Sequence, residues 1–163
     1  MLKRLLGILG LMLLSVALSA CSGNGPGEMF QNQGDQHIAN DATFDGYNSV
    51  PPTSGPHWVA PAPWGISTSP VPNERQVHNL EHGGVMIQYN IQDQGLINQL
   101  RRFTQGQPNF PCFLILAPYP DMTSTIAVTA WGVRDTMDAY DEERLQDFIN
   151  AHREKGPERV RCI

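Results

Sequence analysis

The chain has 163 residues, with 11 Lys and Arg against 16 Asp and Glu and a net charge of −5 when its five histidines are neutral. A chain this acidic lacks the clustered cations that nucleic acid rewards, so a nucleic-acid partner is excluded. Charge gives it no reason to dock on anionic lipid either.

Lys3 and Arg4 open the chain, an apolar run follows from Leu5 to Leu18, and Ser19-Ala20-Cys21 closes the segment. Positive charge, a short apolar stretch and small residues before a cut site are the parts of a signal peptide, expected here over residues 1–20. The run is too short to span a bilayer comfortably, since a spanning helix needs roughly 20 apolar residues. Leu18-Ser19-Ala20-Cys21 resembles the bacterial lipobox, whose cysteine takes a diacylglycerol and becomes the new N-terminus. The alternatives are an ordinary cut at Ala20 or an uncleaved anchor. Lipidation of Cys21 would hold the protein on the outer side of a cell membrane through acyl chains. Loss of Lys3 and Arg4 with the leader takes the net charge from −5 to −7.

Residues 21–36 read as the lipidated cysteine and a flexible tether, rich in Gly, Asn and Gln and poor in apolar side chains. What remains, 37–163, has the size of one ordinary domain. From Asp41 to Asn73 it carries seven prolines, which exclude helix and inner strand over most of that stretch. Tyr47, His57, Trp58, Trp64 and Ile66 within it argue that this arm packs on something.

Gly84 to Tyr89 favours a strand. Leu96, Ile97, Leu100 and Phe103 recur at helical spacing and predict a helix over 93–104, ended by Gly106 and Pro108. Cys112 to Ala117 is a continuous apolar strand and Thr125 to Trp131 another; the two are expected to form a hairpin across 118–124. Leu145, Phe148 and Ile149 predict a second helix over 141–155. The fold class is therefore α+β: a small sheet with helices packed on one face, preceded by a long Pro/Gly-rich irregular arm. With Cys21 assigned to lipid, Cys112 and Cys162 form an even pair and are expected as a disulfide in an oxidising compartment. The alternative, a thiolate metal site or redox couple, has no Cys-x-x-Cys spacing behind it.

The densest polar signal is Val77-His78-Asn79-Leu80-Glu81-His82-Gly83-Gly84. Positions four apart share a face on a helix and on a strand alike, so His78 and His82 can converge in either. Converging imidazoles are the commonest route to a transition metal. His57 stands in a stiff frame, Pro51-Pro52-Thr53-Ser54-Gly55-Pro56-His57-Trp58, and His37 follows the tether. Any one of these rings could be an ordinary hydrogen-bonded imidazole; four together in the irregular half carry the case. The phase of the last helix makes His152 a solvated surface residue. His-x-x-Glu-His also matches the inverted zinc-peptidase motif. Gly83-Gly84 would break the helix directly after it, however, and Glu158, beyond Gly156-Pro157, is a poor place for the third ligand.

Several of these segments together resemble the DUF 3105 family, a domain of unknown function. The likeness rests on Tyr47 to Trp58, on Trp64-Gly65, on Val77 to Gly84, on Ile126 to Gly132, and on Phe148-Ile149 with Gly156-Pro157-Glu158. It covers nearly all of the chain after His37 and departs at Ser67, where the pattern leads one to expect an aromatic. The resemblance implies a shared fold and no reaction.

The residues therefore point to a lipid-anchored extracytoplasmic domain that binds a transition metal without turnover. His57, His78 and His82 are the ligands, His37 a fourth, and Glu81 a partner orienting an imidazole. Copper is the first expectation and zinc the second, with Met122 as a soft thioether ligand for Cu(I) and Met86 in the core. A second reading is a module for a surface partner, built on a Trp58, Trp64 and Tyr47 platform. A third is a metal-dependent hydrolase at His78, Glu81 and His82, or a copper oxidase.

Overall fold

The structure, a computed structural model, describes residues 25–162; the leader and Cys21 lie outside the described residues. In chain order the elements are β1 (Glu28–Met29), β2 (His37–Ile38), β3 (His57–Trp58), β4 (Gly65–Ile66), α1 (Asn73–Glu81), β5 (Val85–Tyr89), α2 (Gln94–Gln105), β6 (Leu114–Pro118), β7 (Ile126–Ala130), β8 (Val133–Met137) and α3 (Glu142–His152). No helix among the described residues is long and apolar enough to cross a membrane.

The class is α+β. A six-stranded mixed sheet runs in the order β1-β8-β7-β5-β6-β4, and β2 and β3 form a separate parallel pair. Helix α2 carries the chain from β5 to its parallel neighbour β6. That crossover occupies one edge of β5, and β7 takes the other edge antiparallel. The expected hairpin between the strands before and after residues 118–124 is therefore absent: β5 lies between β6 and β7. Continuous burial of β5, β6 and β7 identifies inner strands but says nothing of their neighbours.

Both predicted helices form where their apolar spacing places them. The Asp93 carboxylate caps α2 by accepting from Gly95 N at 2.8 Å, and the Asp141 carboxylate caps α3 by accepting from Arg144 N at 3.0 Å. Leu100 and Phe103 of α2, with Leu145, Phe148 and Ile149 of α3, pack on one sheet face against Val85, Ile87, Leu114, Leu116, Ile126 and Val128. The other face presents Met86, Ile115 and Ala117, covered by Leu80 of α1 and by Ala62 and Trp64 of the proline-rich arm. Helix α1 follows Pro72 and buries Glu74, Gln76, His78, Asn79 and Glu81 beside Val77 and Leu80. A helix buried through polar side chains shows no apolar stripe, so periodicity does not announce it.

The segment expected as a tether is docked from Gly25 onward. Glu28 and Met29 pair with Arg134 and Val133 of β8. Gln33 Nε2 donates to the Gly46 carbonyl at 2.7 Å, and Asn48 Nδ2 donates to the Gln31 carbonyl at 2.7 Å. A stretch poor in apolar side chains can still attach by completing hydrogen bonds at a sheet edge. His152 is correspondingly not a free surface ring: it is half-buried, its Nε2 lies 2.8 Å from the Pro26 carbonyl, and its ring packs at a tilt against Phe148. Cys112 and Cys162 form a disulfide with their Cα atoms 5.6 Å apart, tying the C-terminal tail beside β6.

Candidate metal centre

The site forms where the proline-rich arm crosses α1. Two parallel short strands set His37 and His57 side by side in register. Helix α1 offers His78 and Glu81 from its last two turns, and His82 caps its end. Asn79 clamps the arm to the helix: its Oδ1 accepts from Ala62 N at 2.8 Å and its Nδ2 donates to the Ala62 carbonyl at 2.9 Å. Pro51 and Pro52, Thr53, Ser54 and Gly55 are all buried, so the stiff frame before His57 is part of the packed structure.

His57 is fully buried, and His78 and Glu81 are each only 5% exposed. His57 Nδ1 lies 2.8 Å from the Gly55 carbonyl, and His78 Nδ1 lies 2.6 Å from the Trp58 carbonyl. A carbonyl can only accept, so Nδ1 of each ring is the donor. In the neutral ring the lone pair is then on Nε2. His57 Nε2 points at Glu81 Oε2 at 3.1 Å, and His37 Nε2 lies 3.8 Å from the same oxygen. His78 Nε2 faces His82 Nε2 at 3.0 Å. Among the described residues, no Lys or Arg pairs with Glu81; its ion-pair partners are His37 and His57. The pocket therefore gathers lone pairs and a carboxylate, an environment that favours a cation.

Burial pushes the His78 imidazole down to about 4. The bond to the Trp58 carbonyl opposes the shift, and the neighbouring rings of His82, His57 and His37 add to it. Near neutral pH the ring is uncharged, the form that ligates metal.

One ligand atom each from His37, His57, His78 and Glu81 fall within 4.8 Å of one another. Tetrahedral ligands about 2 Å from an ion lie about 3.3 Å apart, so closing this group needs side-chain adjustments of up to about 1.5 Å. The structure thus brings His37, His57 and His78 together and gives Glu81 a place facing the same space, rather than a purely orienting one behind a ring. His82 touches His78 but belongs to a second group with Glu81 and Glu158.

Glu158 is the residue that sequence reasoning misplaced. Its Oε2 lies 3.1 Å from His82 Nε2 across 76 residues. The tail reaches there because Glu158 N donates to the Glu81 carbonyl at 3.1 Å and Glu154 N to the Gly83 carbonyl at 2.7 Å. Gly83 ends α1 with φ +83, as the two glycines predict, but the His-x-x-Glu-His segment is already complete within the helix and its cap. Met122 is not at the imidazoles; it is buried with Tyr119 and Ala127 in a small cluster of its own. Met86 is in the core.

The aromatic side chains form no exposed platform. Trp58 is half-buried and its Nε1 donates to the Ala42 carbonyl at 2.7 Å; Trp64 packs against Phe113. Tyr47 donates its hydroxyl to the Pro56 carbonyl at 2.6 Å, and burial raises its phenol well above the usual range.

Fold and site together define an α+β domain with a buried histidine–carboxylate cluster able to hold a metal ion. The chain belongs to the family described as "Protein of unknown function (DUF3105)", whose model matches residues 37–162. Neither a curated protein nor a solved structure matches it.

Proposed function

We propose that this protein is a lipid-anchored extracytoplasmic domain that binds a divalent transition metal through His37, His57, His78 and Glu81. The observation that carries the metal reading is the pinning of His57 and His78 by backbone carbonyls. Each ring is held by its Nδ1, which leaves His57 Nε2 on the buried Glu81 carboxylate and His78 Nε2 turned towards His82, the arrangement that orients imidazole ligands in metal sites. Three imidazoles and a carboxylate suit zinc and copper(II). The soft-ligand argument for Cu(I) falls with Met122, which is buried elsewhere. The half-exposed His37 is the ligand that solvent or a delivery partner reaches first.

The extracytoplasmic reading is supported by the Lys3-Arg4 leader, by the lipobox-like Leu18 to Cys21, and by the Cys112–Cys162 disulfide, which suits an oxidising compartment. Capture, delivery or sensing of metal follows from such a position.

The test is elemental analysis of the chain from residue 22 onward, purified without added metal and then titrated with zinc and copper(II). Wild type should take up metal stoichiometrically, and a His57→Ala, His78→Ala double variant should lose at least about 100-fold in affinity. Wild type that carries no metal and takes up neither ion would overturn the proposal.

A further inference from the structure

We infer that the cluster holds two ions rather than one, the second at His82 and Glu158, with Glu81 shared between them. The inference rests on the proposed inner site and extends it. Six side chains offer a nitrogen or oxygen to two adjoining groups: His37, His57, His78, Glu81, His82 and Glu158. A tetrahedral ion uses four such ligands, so two are left over. The geometry divides the six in the same way. His37, His57, His78 and Glu81 make one mutually close set; Glu81, His82 and Glu158 make another; only Glu81 is common to both. A carboxylate shared by two ions about 3.5–4 Å apart is the usual bridge of two-metal centres.

The outer set differs from an accidental surface pair in how it is held. Glu158 is half-exposed, and on a free loop its carboxylate would sample solvent. Here the backbone bond from Glu158 N to the Glu81 carbonyl fixes the tail directly over the shared glutamate. His82 Nε2 is contacted at once by His78 Nε2 at 3.0 Å and Glu158 Oε2 at 3.1 Å, two acceptors for one ring nitrogen. The outer position also opens onto a cleft of about 500 Å³, lined by His82, Phe113, Glu154, Glu158, Arg159 and Cys162 among others. The inner ion would be enclosed by protein on all sides but that of the half-exposed His37. The outer one would keep coordination positions facing that cleft, where water or an incoming ligand can bind, as in sites that keep an open position.

Zinc is the probe, on the full-length chain in detergent. Equilibrium dialysis followed by elemental analysis should give two zinc ions per chain for wild type and one for Glu158→Gln, an exposed and conservative change. His82→Asn should also give one. Cobalt(II) in place of zinc should give a spin-coupled signal in wild type that Glu158→Gln abolishes. A ratio of one in wild type, or a ratio that Glu158→Gln leaves unchanged, overturns the second position and leaves the inner site standing. A wild-type ratio of zero overturns the inner site as well.

Discussion

Gly156 rests so closely on Glu81 that a Cβ built on it would lie 2.0 Å from the Glu81 carbonyl oxygen and 2.2 Å from Gly83 N. Both neighbours are backbone, which cannot swing aside as a side chain can. This contact seats the tail that carries Glu158. Gly156→Ala should therefore destabilise the fold by about 2–3 kcal/mol, as overpacking does. Urea denaturation measures the loss, and the same variant should weaken binding at the outer metal position.

In the metal-stripped protein, stability should depend on His78. Its folded imidazole titrates near 4, against 6.5 for an ordinary histidine side chain, so between those values the unfolded chain binds the extra proton. Stability is then intact above about pH 6.5, falls as the pH drops towards 4, and levels off below that. The full loss from this ring is at most about 3 kcal/mol at 1.36 kcal/mol per pKa unit, and solvent screening at the mouth of the site reduces it. Denaturation of chelated wild type and His78→Gln at pH 7 and pH 4.5 reads its share as the difference between the two losses of stability. A wild-type drop no larger than the variant's would refute the assignment.

Asn79 joins the arm to α1 through both atoms of its side-chain amide and is fully buried. Asn79→Ala would strip the Ala62 N–H and carbonyl of their partner in a dry site. The expected loss is about 2–3 kcal/mol, since each unsatisfied buried group costs about 1–3 kcal/mol. The arm also carries His57 and the Trp58 carbonyl that holds His78. Metal affinity should fall in Asn79→Ala, although the Asn79 side-chain amide bonds to Ala62 and to no ligand, and calorimetric titration with zinc reads that fall.

How much of this was legible depended on what buried each segment. Helices α2 and α3 bury apolar stripes, and Leu96, Ile97, Leu100, Phe103, Leu145, Phe148 and Ile149 announce them. Strand β8, Val133–Met137, was missed although its side chains alternate buried and turned out. Arg134, Asp135 and Thr136 mask the pattern in such a short run. Helix α1 was illegible because its buried face is made of Glu74, Gln76, His78, Asn79 and Glu81, which bond to partners far along the chain. The imidazoles could be picked out by residue type and spacing. Glu158 could not, because its approach to His82 depends on Gly83 and Gly156 letting two backbones touch. Gly156-Pro157-Glu158 stood out as a motif, but a motif does not say what it faces.

Breaking the disulfide should loosen the tail. Cys112 and Cys162 are 50 residues apart, and closing a loop of that size constrains the unfolded chain by about 4 kcal/mol at most. A Cys112→Ser, Cys162→Ser variant should lose part of that in urea denaturation. Zinc binding at His57 and His78 should persist, since neither ring touches the tail. Loss of all zinc would show that the tail supports the inner ligands too.

The His57–Glu81 contact spans 24 residues and the His82–Glu158 contact 76. An ion among these groups therefore acts as a cross-link between the arm, the first helix and the tail, and the unfolded chain has no comparable place for it. Loading should raise the melting temperature with the logarithm of free metal, so the protein's resistance to heat or proteolysis reports the metal content of its surroundings.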